Sequence, residues 1–264
     1  MMRPLNAPVV SWAGKRVWII GASTGIGAAL ARALAERGAR LALSARSAEA
    51  LAATVVQGGA AGLEHARLLP CDVTNAGAVT VALDSLVADW GGVDLVLVSA
   101  GAYHPMRADA LDREVAAHLI DTNLKGPLNV AASAVPQLLR QGGGAIGIIG
   151  SVAGYGGLPK AVVYGPTKAA IINLCEAMYF DLHASGIGVY LISPGFVRTP
   201  MTAANDFRMP ALISPEEAAR DIVRGMEAGA FEIHFPRRFT CALKLLRLLP
   251  YRLYFAIVRR ITGL

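Results

Sequence analysis

RVWIIGASTGIG, residues 16 to 27, is the stretch whose reading decides the fold. A short apolar run, Arg16 to Ile20, ends in Gly21-Ala22-Ser23-Thr24-Gly25-Ile26-Gly27, and helical periodicity then runs from Ile26 to Arg37 with Gly38 at its end. Strand, glycine loop and helix in that order are the context a dinucleotide fingerprint requires. Glycine permits the tight turn and lets backbone amides approach a pyrophosphate at the helix N-terminus. Glycine turns also join strands to helices for purely steric reasons. The position of this one, after the first strand, is what favours a nucleotide.

Outward from the loop, strand and helix signals alternate. Arg40 to Ser44, Ala66 to Cys71 and Val93 to Ser99 read as the second to fourth strands, and helices start near Ala48 and span Val79 to Trp90. Two helical stretches follow, Leu111 to Leu124 and Gly126 to Gln141. Ala145 to Ile149 is a fifth strand, Val163 to Ser185 a long helix closed by Gly186, and Gly188 to Ile192 a sixth strand. Pro215 to Ala228 is a helix and Phe231 to Phe235 a last strand. Repeated β-α-β with apolar strands predicts an α/β fold: a doubly wound parallel sheet, covered on both faces, in one domain. Residues 15–236 are the expected catalytic body and 237–264 a C-terminal extension.

Composition fits that reading and limits others. The chain has 264 residues, 54% hydrophobic and 17% charged, enough for one large core. No apolar run reaches the ~20 residues needed to span a bilayer. Cys71, Cys175 and Cys241 show neither metal-ligand spacing nor a disulfide framework, and Met1 to Val10 lacks a signal-peptide core. A reducing cytoplasm and no bound metal are therefore expected. The net charge of +6 is unevenly spread: Arg237, Arg238, Lys244, Arg247, Arg252, Arg259 and Arg260 face no acidic residue in the tail. Subtracting those seven leaves the rest of the chain near −1.

Chemistry is suggested by Tyr164 and Lys168 in Tyr-Gly-Pro-Thr-Lys. Four residues apart on a helix, they share a face. A neighbouring cation lowers a phenol's pKa from ~10 and makes it a workable acid or base. Alone, the pair reads equally as a packed tyrosine and a solvated lysine. Two strand ends add to it. Asp72, after the third strand, is either an acceptor for an adenine amino group or a helix cap. Ser99-Ala100-Gly101, after the fourth, allow close approach of a ribose or make a tight turn.

Together these residues resemble the short-chain dehydrogenase/reductase family in its single-domain Rossmann-fold form, over about Lys15 to Pro236. The match comprises the glycine loop, Asp72, Ala100-Gly101, Asn123, Ser151, Tyr164 with Lys168, and Pro194-Gly195. The resemblance implies roles. Tyr164 passes a proton to a carbonyl oxygen or removes it from an alcohol. Ser151 polarises that oxygen, Lys168 binds the nicotinamide ribose and lowers the tyrosine pKa, and Asn123 holds a water linking Lys168 to solvent. Cofactor contacts are implied for Gly21, Ser23, Thr24, Gly25, Ile26, Gly27, Arg46, Asp72, Val73, Ser99, Ala100, Gly101, Tyr164, Lys168, Pro194, Gly195, Val197 and Thr199. Ser151 as a helix cap and Asn123 as a helix-interior polar group are the plainer alternatives. Two departures stand out: Ile20 replaces the family's usual threonine, and Val98 and Ser99 replace its two asparagines.

The second strand ends Leu43-Ser44-Ala45-Arg46-Ser47 without an acid. An acid there would hold the ribose hydroxyls and repel a 2′-phosphate, whereas a guanidinium suits one. NADP(H) is expected over NAD(H), a solvated loop arginine being the alternative. Tyr103, His104, Val152, Tyr155, Leu158 and the segment Met201 to Leu212, a mobile lid by resemblance, are expected to border a site for an apolar carbonyl or alcohol. His104 reads also as a surface residue. The tail, Phe239 to Leu264, is split by Pro250 into two basic amphipathic pieces, suited either to a membrane surface or to packing on protein. Nucleic-acid binding is disfavoured, since large aliphatics interrupt the basic residues. The resemblance implies a homodimer or homotetramer paired through the helices of Leu111 to Gln141 and Val163 to Ser185. A non-catalytic NADP-binding sensor, or an epimerase or dehydratase on the same fold, are the competing functions.

Overall fold

The first strand, β1 (Arg16–Ile20), sorts its side chains between two cores: Val17 and Ile19 join one, Trp18 and Ile20 the other. That alternation requires cover on both faces, and the computed structural model, which describes residues 3–203, 207 and 209–263, supplies it. β2 (Arg40–Ser44), β3 (Arg67–Leu68), β4 (Leu95–Val98), β5 (Gly144–Ile149), β6 (Ile187–Pro194) and β7 (Glu232–Phe235) complete one sheet. Its order is β3-β2-β1-β4-β5-β6-β7, all pairs parallel.

Between the strands run α1 (Gly25–Ala35), α2 (Ala48–Gly58), α3 (Ala76–Trp90), α4 (Arg113–Ile120), α5 (Gly126–Arg140), α6 (Tyr164–Leu182) and α7 (Pro215–Glu227). Leu30 and Leu34 of α1 with Ile222 and Met226 of α7 cover Val17, Ile19, Leu41 and Leu43. Leu83 and Leu86 of α3, Val130 and Leu138 of α5, and Ile171 and Met178 of α6 cover Trp18, Ile20, Val96 and Ile146 on the other face. Each fully buried side chain of this size contributes ~1.5–3 kcal/mol of transfer free energy. Strand order reverses between β1 and β4, which opens a crevice at the carboxyl ends of the strands.

Several boundaries differ from expectation, for identifiable reasons. The third strand pairs as regular ladder only over Arg67–Leu68, although the Leu69 and Cys71 amides still donate to the Leu43 and Ala45 carbonyls at 2.9 and 3.0 Å; Pro70, between them, turns its nitrogen to the open edge, where a missing N–H is tolerated. The fourth is shorter at both ends than Val93 to Ser99. The two stretches expected from Leu111 to Gln141 are joined by a π-helical turn, Asp121–Lys125, rather than a break. Residues ahead of Lys15 also pack on the body. Asn6 donates to the Val189 and Ala230 carbonyls at 2.8 and 3.1 Å, and buried Trp12 donates to Glu227 at 2.9 Å.

The tail forms α8 (Arg237–Arg247) and α9 (Tyr251–Thr262), with Pro250 between them as expected. Lys244 pairs with Glu232 of β7, and the Tyr254 hydroxyl donates to the Gly157 carbonyl at 2.7 Å. Thr240, Tyr254 and Val258 are buried beneath the two helices.

Candidate active site

At the carboxyl ends of the strands lies a cleft of about 500 Å³. Its floor on one side is the loop after β1. Gly21 takes φ +87°, and a Cβ there would lie 2.4 Å from the Ala100 backbone nitrogen, so only glycine lets the two loops close on each other. α1 opens at Gly25 without a side-chain cap on Thr24 and without an acid in its first turn. Its leading amides are left for an anion. Gly21, Ser23, Thr24, Gly25 and Ile26 line the cleft, whereas Gly27 is buried behind the loop.

Along the nucleotide end, Arg46, Asp72, Val73, Ser99, Ala100 and Gly101 all reach the cleft wall. Asp72 is not a helix cap. Its Oδ1 accepts from the Thr74 amide and hydroxyl at 2.9 and 2.8 Å, and Asn75 caps α3 instead. Burial pushes the Asp72 carboxyl up, but the Thr74 hydrogen bonds, with Arg46 and His118 nearby, outweigh it and hold it below the usual range. His118 and Thr122, from α4 and the π-turn, line the cleft as well. Sequence reading missed both, because only the tertiary fold brings that helix over the nucleotide end. The fit for a dinucleotide rests on three features: a glycine cradle that a Cβ would fill, uncapped helix amides, and a basic residue where the second strand ends.

The chemical end is assembled from β5 and α6. Ser151 follows β5 and caps a short 3₁₀ turn, Val152–Gly154, its Oγ accepting from the Ala153 amide at 3.1 Å. Gly154 lets that turn press on α6: a Cβ there would meet the Lys168 carbonyl carbon at 2.7 Å. The contact sets the Ser151 hydroxyl near enough to the Tyr164 phenol, at the start of α6, to draw that phenol's pKa down. So Ser151 serves as a cap and also reaches the tyrosine.

Lys168, one turn along, is buried. It donates to the Ile149 carbonyl at 2.9 Å and sits 5.7 Å from the Tyr164 ring centre. Ser151, Tyr164, Lys168, Pro194, Gly195 and Val197 line the cleft, as does Thr199, whose methyl lies against Gly25 of the glycine loop.

The pKa pattern differs from the sequence expectation. Burial pushes the Tyr164 phenol up to about 12, with the Ser151 hydrogen bond pulling it back. Burial pushes Lys168 down to about 8. Desolvation, invisible in a four-residue spacing, is the leading cause for both groups.

Asn123 is fully buried in the π-turn, behind the cleft wall. Its Oδ1 accepts from the Ala102 amide at 2.7 Å, and its Nδ2 donates to the Ala102 carbonyl at 2.9 Å and to Thr167 at 3.3 Å. It therefore clamps the loop after β4 onto α6. A point 3.4 Å from its oxygen, beside Gly101, is also 3.7 Å from Lys168 Nζ, so the two groups face one small space. A π-turn commonly marks such a functional position in a helix.

The expected substrate border divides in two. The Tyr103 ring packs edge-on to Tyr164 at 5.0 Å, and Met201 and Thr202 line the cleft. His104 is exposed on its loop. Val152, Tyr155 and Leu158 instead border a separate small hollow with Leu243, Leu246 and Tyr254 of the tail. The tail covers them, and the Tyr155 hydroxyl donates to Glu232 at 2.6 Å. The lid segment returns to the body where Ile213 pairs with Val197, and Phe207 lies 5.6 Å from Phe196. Residues 204–206 and 208 of that segment lie outside the described residues.

The short chain dehydrogenase family model matches residues 15–208. An uncharacterized oxidoreductase of Myxococcus xanthus (strain DK1622) is 33% identical over 243 residues, 92% of this chain and 96% of that protein. The crystal structure of a short-chain type dehydrogenase/reductase from Mycobacterium marinum is 29% identical with a TM-score of 0.77, over 88% of this chain and 97% of that one. A Burkholderia phymatum short chain dehydrogenase/reductase, solved in complex with NAD, has a TM-score of 0.81 at 24% identity, over 90% and 94% of the two chains. That last likeness is one of fold.

Proposed function

The chain belongs to the short-chain dehydrogenase/reductase family, and on that premise we propose that it is an NADP(H)-dependent oxidoreductase interconverting a carbonyl and an alcohol on a hydrophobic small molecule. The observation that carries the proposal is the convergence of Ser151, Tyr164 and Lys168 on one end of a cleft whose other end is the glycine loop and Arg46.

When bound, the nicotinamide supplies or accepts the hydride at carbon. The protein's part is to bind, orient and move a proton. Gly21, Ser23, Thr24, Gly25 and Ile26 would hold the pyrophosphate, with Gly27 behind them allowing the close turn. Asp72 and Val73 would meet the adenine, Ser99, Ala100 and Gly101 the adenosine side, and Pro194, Gly195, Val197 and Thr199 the nicotinamide side. Ser151 donates a hydrogen bond to the substrate oxygen. Tyr164, protonated at neutral pH with a pKa near 12, gives that oxygen its proton in reduction. The Lys168 cation stabilises the negative charge left on the phenol oxygen and returns a proton through the space it shares with Asn123.

The pH dependence follows in sign. Lys168, depressed to about 8, is a cation below that pH and neutral above it. Reduction is expected to be fastest below pH 8 and to fall as pH rises through it. In Lys168→Met the rate is expected to be low throughout, with that limb absent. A native pH–rate profile flat across this range, read as kcat/KM, would contradict the assignment.

Cofactor choice rests on Arg46 beside Ala45, with no acid to repel a 2′-phosphate. NADPH is expected to bind more tightly than NADH. Arg46→Ala is expected to weaken NADPH by ~10–100-fold, the worth of a charge-assisted hydrogen bond, and to change NADH little. Fluorescence titrations of both cofactors measure this, and tighter NADH binding by the native protein would reverse it.

The apolar substrate is supported by Tyr103 against Tyr164, by Met201 and Val197 in the cleft lining, and by the Phe207, Phe196 and Phe239 cluster, whose Phe239 ring lies against cleft-lining Gly195. A homodimer or homotetramer through α5 and α6 belongs to the same reading, since Leu128, Leu139 and Phe180 stand exposed there. Free Cys71, Cys175 and Cys241 suit a reducing compartment. A panel of apolar ketones, aldehydes and alcohols, followed by NADPH absorbance, tests the activity. Turnover of at least one carbonyl is expected, and a uniformly inert panel counts against it.

A further inference from the structure

The tail leaves an outer face that neither the fold nor the cleft uses. In α9, Tyr254 and Val258 are one turn apart and buried, so a single stripe of that helix meets the body. On its flanks stand Leu253, Ile257 and Ile261 on one side and the stacked Tyr251 and Phe255 on the other, the two rings 5.5 Å apart. Leu245 of α8 and Leu248 just after it are 65% and 80% exposed, and Ile261 near the end of α9 is 74% exposed. Isolated exposed apolar residues need no explanation, but two adjoining short helices exposing these together do.

Charge narrows the choice of partner. The tail holds seven basic residues and no acid. Lys244 is committed to Glu232, and Arg247 lies over the Tyr251 ring at 5.5 Å. Among the described residues, Arg237, Arg238, Arg252, Arg259 and Arg260 have no carboxylate partner and all are exposed. Two copies joined symmetrically through this face would bring both sets of arginines together. A surface with an apolar interior and an anionic rim suits both components at once.

We propose that α8 and α9 form an interfacial dock for an anionic lipid bilayer, Leu245, Leu248, Tyr251 and Phe255 entering the headgroup boundary and the arginines meeting phosphate. No helix among the described residues is long and apolar enough to cross a membrane, so the contact is peripheral. The tail is held on the body by Lys244–Glu232 and by Tyr254–Gly157, so the dock is rigidly joined to the rest of the protein. The first turn of α8 carries Phe239, whose ring is 5.8 Å from Phe196, next to cleft-lining Gly195. Docking therefore brings that end of the cleft close to lipid. The inference does not depend on the chemistry at Tyr164 and is read without turnover.

The test is flotation of the full chain with phosphatidylcholine vesicles, with and without phosphatidylglycerol. Association with the anionic vesicles alone is expected, weakened ~10-fold by high salt. The double variant Leu248→Glu/Phe255→Glu is expected to lose it while melting at the native temperature. Absence of flotation with anionic vesicles at low salt overturns the proposal. Full retention by the double variant also overturns it, because the attraction would then be charge alone. A vesicle-free dimer that the double variant dissociates, seen by light scattering, would assign the face to a second copy and overturn it as well.

Discussion

Tyr164→Phe is expected to lower kcat/KM for carbonyl reduction by about 10³-fold, the usual worth of a positioned general acid, while leaving thermal stability and NADPH affinity close to native. The substitution removes one hydroxyl and keeps the ring. Its edge contact with Tyr103 at 5.0 Å survives, and Ser151 keeps its bond to the Ala153 amide. A tyrosine that merely packed at a helix start would show the reverse, a small loss of stability and an unchanged rate. Steady-state kinetics and a thermal melt on the same preparation separate the two.

The second large effect is expected at Gly21. An alanine there must adopt φ near +87° and fit a Cβ 2.4 Å from the Ala100 backbone nitrogen. Neither neighbour is a flexible side chain, so the two loops must part. A left-handed alanine costs ~1–2 kcal/mol and the overlap ~1–3 kcal/mol more. At ~2–4 °C per kcal/mol for a domain near this size, Gly21→Ala is expected to melt about 10 °C lower. Because the same loop is the proposed seat of the pyrophosphate, NADPH affinity is expected to fall by ~100-fold or more. A variant with native melting temperature and native affinity would show that the β1–α1 turn and the β4 loop do not meet as described.

Much of the fold was legible because its signals are local. RVWIIGASTGIG contains strand, turn and helix in twelve consecutive residues, and apolar strands alternating with helices specify a parallel sheet. What sequence missed depends on groups distant along the chain. Pro70 is tolerated beside β3 because that strand is at the sheet edge, and Asn6 and Trp12 gain meaning only when β6 and α7 are beside them. Asn123 was identified as a residue, but its clamp on Ala102 arises from the π-turn, which no local periodicity announces.

Most of the residues read as a site do line one cleft, but their electrostatics were not legible in sequence. Tyr164 four residues before Lys168 suggested a lowered phenol pKa. Burial of both groups moves the phenol up and the amine down instead. The substrate border was partly misjudged for the same kind of reason. Tyr155 and Leu158 follow Ser151 closely in sequence, yet the tail folds back over them and makes them its seat.

The central claim, hydride chemistry at a carbonyl in this cleft, is tested most directly by mass spectrometry of the product. NADPH deuterated at its transferring position is incubated with the carbonyl that the panel identifies. The account predicts an alcohol with one deuterium on the former carbonyl carbon, formed by the native protein and nearly absent with Tyr164→Phe. Tight NADPH binding with no deuterated product from any carbonyl would contradict it and leave a protein that binds the nucleotide without reacting it.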